Sequence, residues 1–424
     1  MLYNRGLLLF KHEVTFRTDS SPVPASDAFL VEDPAFTPNV AQLQRQNLKS
    51  SLSQDAIVTG RKQASVTFRH EVRSNSVNPP VNGSPPMLGR LLEACAMSRT
   101  FRNAGVTVAD VLGPLVDVTP TNSAFAGSII AASVYAGARP RRARITFDSP
   151  TQVDVKLLAE GGLAEENNNN QTWPGIAGGI TLGAGVTATV TQTVAAATGD
   201  VLEVDIYPAA HEYKPMSDPA TMPSATLYLY YDGILHRMVG CRGTWSLEAV
   251  GADYARFTFT FTGDYVDPID AAVPGGAVYE STQPRPVELA ALAVQREFSP
   301  SITTLCAQQF TIDLANEVAI RECINGSEAY EGAVIVNRNP VGSFDPEAIT
   351  EASFPFWASL KAGSRLSWRA CVGSSKGNVV SFRAPSAQIS NLQYADRNGT
   401  RVYNADLQFA TAGAGDDELV VAFS

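Results

Sequence analysis

The stretch Tyr254–Tyr265, YARFTFTFTGDY, decides the fold class. Phe257, Phe259 and Phe261 alternate with Thr258, Thr260 and Thr262 until Gly263 ends the run. A strand turns successive side chains to opposite faces, so one face here is aromatic and the other is small, hydroxylated and uncharged. Phe257, Phe259 and Phe261 form the candidate core face, where burial contributes roughly 2–3 kcal/mol per ring. The solvated face of a monomeric sheet normally carries charged residues. A neutral threonine face fits better as the lining of a wide barrel or as a contact between subunits.

Strand patterns recur along the chain. ASVTFRHEV places Val66, Phe68, His70 and Val72 on one face and Ser65, Thr67, Arg69 and Glu71 on the other. ATLYLYYDGILHRMVG reads as a hairpin turning at Asp232-Gly233, and YADRNGTRVY as another turning at Asn398-Gly399. Helix signals are few. SPPMLGRLLEACAM opens on Pro85 and Pro86 and aligns Leu88, Leu91, Leu92 and Cys95 on one stripe. FPFWASLKAGS opens on Pro355 and offers Gly363 as its cap.

Each of these helices follows a strand, a polar stretch and a second strand, and each precedes a hairpin and a final alternating strand. The polar stretches are 39–60 and 316–332. The pattern predicts two copies of one β-rich unit. The first is discontinuous, 1–102 and 224–266. A passenger rich in Gly, Ala, Thr and Asn (103–223) reads as a small inserted β domain on the outer surface. A proline-rich linker, 267–298, leads to the second unit, 299–424.

Composition excludes several classes. Among 424 residues 45% are hydrophobic and only 17% charged, which suits a chain that buries surface against copies of itself, or a secreted adhesin or sandwich protein rich in Ser, Thr and Asn. A net charge of -10 argues against tight binding of duplex DNA, which draws its affinity from many Lys and Arg contacts. A channel that DNA must slide through is a different matter, because there attraction creates traps. The five cysteines form no CxxC pair and read as reduced thiols. The apolar run Leu7–Phe10 is too short for a signal peptide, and no segment is long enough to span a membrane.

The search for chemistry comes up empty. His12, His70, His211 and His236 stand in no catalytic or metal-binding spacing, and GGITLGAG (178–185) lacks the context of a phosphate loop. The chain is expected to be no enzyme and to carry no catalytic, cofactor or metal site. Asp416, Asp417 and Glu418 read as an exposed acidic tail. ARPRRAR (138–144) is the only basic cluster. Without interleaved aromatics it reads as a charge-protected edge strand or a salt-bridging interface rather than a nucleic-acid or phosphate patch.

The linked segments LYLYYDGILHRMVGCRGT, Phe257–Gly263 and Asp267–Pro274 resemble tail tube proteins (major tail proteins) of long-tailed bacteriophages. TGRKQASVTFRHEV leading to PPMLGRLLEACAM, FTIDLANEVAIRECINGSEAYE and AGAGDDELVVAF extend the resemblance over most of the chain outside the passenger. It implies tandem tube β-sandwiches, each with one flanking helix, which close a shared inner β-barrel in a ring. With a duplicated domain three chains make a pseudo-sixfold ring, and a homohexamer is the alternative. The implied function is structural: a hollow virion tail, assembled in the host cytoplasm, through which DNA is delivered. The implied partners are other copies, stacked rings, the tape measure protein, tail terminator and distal tail proteins, and double-stranded DNA in transit, with no membrane. Thr258, Thr260 and Thr262 become candidate lumen residues. Gln42, Gln44, Arg45, Asn47 and Lys49 become a candidate ring-stacking loop, with 316–332 its counterpart. A capsid or decoration protein is the competing assignment.

Overall fold

A computed structural model describes residues 5–78, 80–104, 107–113, 115–118, 126–159, 163–173, 178–194, 196–288, 290–296, 302–326, 330–413 and 415–424. Residues 297–301, where the linker was expected to meet the second unit, lie outside them. The chain opens with β1 (Gly6–His12), the short α1 (Pro24–Asp27), β2 (Ala28–Phe29), β3 (Glu32–Leu43) and β4 (Val58–Glu71). Then come α2 (Leu88–Glu93) and β5 (Met97–Arg102). The passenger supplies β6 (Val116–Asp117), β7 (Ala126–Ala131), β8 (Arg141–Ser149) and β9 (Gln152–Leu157). It continues with β10 (Glu166–Thr172), β11 (Gly178–Gly183), β12 (Val186–Val194) and β13 (Val201–Ile206). The main body resumes with β14 (Ala210–Pro215), β15 (Ala225–Tyr231), β16 (Gly233–Val250), β17 (Arg256–Ala271) and β18 (Ala293–Arg296). It goes on through β19 (Ile302–Thr304), β20 (Ala307–Asp313), β21 (Asn316–Glu322), β22 (Tyr330–Arg338) and β23 (Val341–Pro346). It ends with α3 (Phe356–Ala362), β24 (Arg365–Val372), β25 (Val380–Arg397), β26 (Thr400–Ala410) and β27 (Val420–Phe423).

The strand of alternating Phe and Thr, β17, lies inside the main sheet. On one side Phe259 stands opposite Phe68 of β4, and on the other opposite Trp245 of β16. Phe257, Phe259 and Phe261 are fully buried, as are Phe68 and Trp245. Gly243 sits opposite Phe261, and a Cβ there would lie 2.6 Å from that ring and 2.4 Å from the Thr260 carbonyl. The glycine therefore lets the aromatic ring cover its backbone.

The two halves of the chain follow one order of pairing. In the first, neighbours run β3-β4-β17-β16-β15-β1. In the second they run β20-β23-β26-β25-β24-β18. α2 follows β4 as α3 follows β23. Each half contains an 18-residue strand, β16 or β25, that changes neighbours midway at a bulge. In β16 the bulge is at Gly240 (φ 63°), whose N–H donates to Glu13 Oε1 at 2.7 Å. The halves share one core and are joined edge to edge, β16 pairing antiparallel with β20 from Ser246 opposite Asp313 to Val250 opposite Gln309.

The stretch 103–223 divides in two. Its β6, β8, β9, β10 and β13 form one sheet and β7, β11 and β12 a second, and these close over a separate core that includes Ile145, Phe147, Trp173 and Val204. β14, by contrast, belongs to the main sheet, between β5 and β27. The linker stretch is also partly strand, since β17 runs to Ala271 and β18 begins at Ala293. The described residues of the polar stretch 316–332 belong to the hairpin β21–β22, anchored by Ile335 against Ala96 and against Met222 ahead of β15. No helix among the described residues is long and apolar enough to cross a membrane.

Candidate assembly surface

The polar faces of the central strands combine into one surface. Thr260 stands between Thr67 of β4 and Thr244 of β16, and Thr258 between Arg69 and Ser246. Thr262 stands between Ser65 and Arg242. Across the β16–β20 joint the surface continues through Thr311, Ser343 of β23, Asp406 of β26 and Asn391 of β25. Thr258, Thr260 and Thr262 are half-buried. The hydroxyls bond to each other: Thr67 Oγ1 and Thr260 Oγ1 are 3.1 Å apart, Thr311 Oγ1 and Ser343 Oγ 2.7 Å. Around Thr260 the surface is hydroxylated and uncharged, through Ser65, Thr67, Thr244, Ser246, Thr258 and Thr262. Exposed charges flank this patch at Arg69 and, at the central β16–β20 joint, at Glu248 and Asp313, with Asp406 farther along on β26, and Arg242 is turned away to donate to the Met222 and Ala333 carbonyls.

This surface spans eight strands, β3-β4-β17-β16-β20-β23-β26-β25, and both of its borders are open. Among the described residues β3 pairs only with β4. Beyond Gln388, where β24 ends, β25 pairs only with β26. β3 carries Pro34 and Pro38, which donate no backbone hydrogen bond. At the far border Tyr394 is 56% exposed.

Gln42 lies on β3 opposite Thr59, and Gln44, Arg45, Asn47 and Lys49 lie beyond it in the hairpin tip. All five are exposed. Asp55 gathers part of the tip, accepting from Lys49 Nζ at 2.8 Å and Asn47 Nδ2 at 3.0 Å. Sequence reasoning passed over Leu48 and Leu52, whose side chains stand fully in solvent. The signal was present in two leucines among Gln, Asn and Ser, at positions with no strand pairing to bury them.

The titratable groups read as structural. His70 is buried, with Nδ1 2.7 Å from the Glu71 carbonyl, and burial aided by the charge of Arg73 lowers its pKa to about 4. Burial raises Glu280 to about 7 against the opposing charge of Arg73. Asp416 and Glu418 both receive Arg338, at 2.8 and 2.6 Å. Among the described residues no cluster of His, Cys, Asp and Glu could hold a metal ion. In the basic cluster Arg142 and Arg144 pair with Glu203 and Asp205 of the neighbouring β13.

No curated protein matches the chain. A family model described as phage tail tube protein matches residues 4–411, nearly its whole length. This mainly β chain therefore belongs to the phage tail tube protein family, a family of structural virion proteins.

Proposed function

We propose that this chain polymerises into the hollow tube of a phage tail and that DNA passes along the surface carrying Thr258, Thr260 and Thr262. The observation that carries this reading is the continuous polar surface over eight strands from both halves, hydroxylated and uncharged around Thr260, with an unpaired strand border at each end. Pairing those borders between copies removes exposed edges and closes a barrel. The shared pairing order supports a duplicated tube unit, 1–102 with 224–266 and then 299–424, so that three chains complete a pseudo-sixfold ring. Three times eight strands is about 24, and at ~4.8 Å spacing and a tilt of about 40° the backbone cylinder is roughly 45–50 Å across. Hydroxyls and the exposed carboxylates of Glu248, Asp313 and Asp406, in a chain of net charge -10, give a duplex few cations to settle on.

Rings stack through the tip that holds Gln42, Gln44, Arg45, Asn47 and Lys49, with Leu48 and Leu52 covered by the next ring. The inserted domain faces outward. The tube forms around a tape measure protein and is bounded by tail terminator and distal tail proteins, after assembly in the host cytoplasm. Negative-stain microscopy and native mass spectrometry of the purified chain test this. Annuli of three chains, stacking into hollow filaments, are expected. Closed shells, or a protein that stays monomeric at high concentration and is absent from tails, would refute it.

A further inference from the structure

A cavity of about 510 Å³ lies between the inserted domain and the second half of the main body. Six arginines and Lys214 line it, against Glu203, Asp205 and Asp417. Such an excess of positive charge is unusual in a chain whose net charge is -10.

The carboxylates are already engaged. Arg142 donates to both oxygens of Asp205 at 2.6 and 2.9 Å, and Arg369 lies 3.5 Å from the same group. Glu203 accepts from Arg144 at 2.7 Å and from Gln295 at 2.6 Å. Glu212, just behind, accepts from Arg102 and Arg383, and those two guanidiniums also sandwich the Tyr207 ring at 4.4 and 4.2 Å. Arg296 at the end of β18 and Arg365 at the start of β24 lie on neighbouring strands and have no ion-pair partner among the described residues. Arg365 is exposed and Arg296 half-buried, so both guanidiniums can reach an anion that enters the cleft.

We propose that this cleft is a binding site for a compact anion with two or more phosphate or carboxylate groups, about the size of a sugar phosphate. Two sources supply that chemistry: free phosphorylated or acidic metabolites, and acidic polymers of a cell surface. The volume falls in the range of small-ligand pockets, and the planar forks of arginine match both groups bidentately. The site is independent of ring closure, because its walls come from the inserted domain and from strand faces away from the hydroxylated surface.

Titration calorimetry on the full-length chain tests it with pyrophosphate, fructose 1,6-bisphosphate, a glycerol-phosphate oligomer and, as control, glucose. Saturable binding of the anions that weakens with salt is expected, with no heat from glucose. Arg365→Glu combined with Arg296→Glu is expected to weaken anion binding at least tenfold while the melting curve stays unchanged. Preference for the oligomer over pyrophosphate assigns the site to a surface polymer, and the reverse assigns it to a free metabolite. Absence of saturable binding to every anion, equal binding of glucose, or unchanged affinity in the double variant would overturn the proposal. Tube formation by the same preparations is scored separately by microscopy, so failure of either reading leaves the other standing.

Discussion

Thr260→Lys places one cation per chain in the middle of the hydroxylated patch. The fold should tolerate it, because Thr260 is half-buried and forfeits only the 3.1 Å contact with Thr67, about 1 kcal/mol. The consequence for DNA is larger. With three chains per ring, three lysines meet the duplex at each level of the tube. Each neutralised phosphate adds about 0.9 to the slope of log affinity against log salt, so three give roughly a 40-fold difference in retention between 50 and 200 mM salt. Ejection from particles built with this variant, followed by dye fluorescence after receptor triggering, is therefore expected to slow markedly at 50 mM and to recover at 200 mM. Thr260→Ser, which keeps the hydroxyl, is expected to match the wild type. If intact Thr260→Lys tubes, verified by microscopy, ejected DNA at the wild-type rate at both salt concentrations, this face would not line the bore.

Three further outcomes can be checked. Phe259→Ala empties a site that is fully buried between the Phe257, Phe261 and Phe68 rings and should cost about 3–5 kcal/mol in denaturant melts. His70 is neutral in the fold, with its pKa lowered from 6.5 to about 4, so stability present at neutral pH should be lost as pH falls from about 6.5 towards 4. His70→Gln should flatten that limb of the stability profile. Leu48→Ser with Leu52→Ser should leave the melting temperature unchanged but shorten or abolish filaments, leaving single rings by sedimentation.

Local chemistry made part of this fold legible. The Phe/Thr alternation of β17 and the helix closed by Gly363 (φ 60°) could be read from the sequence, because each depends on neighbours a few residues away, whereas α2 ends at Glu93, short of the Cys95 that its stripe included. So could the turn at Asn398-Gly399, where both residues have positive φ. What lay hidden is the choice of distant partners. Nothing in Leu247 or Ile312 announces that β16 and β20 lie side by side, since any strand of the right pattern would satisfy both. The hairpin β21–β22 was obscured because Glu317, Arg321 and Glu322 mask the short apolar run Val318–Ile320. Likewise, ARPRRAR showed that charge would be paired or displayed, but not that Glu203 and Asp205 would receive it from another strand.

Pro34 and Pro38 give the β3 border a particular temperament. An imide ring there can take a hydrogen bond through its carbonyl but never give one, so two idle copies brushing border to border find a poor zipper. Growth would then be slow to start in free solution and brisk once a template holds several copies in register. On that view the cell is spared aimless filaments because two rings of carbon sit where amide protons would otherwise invite company.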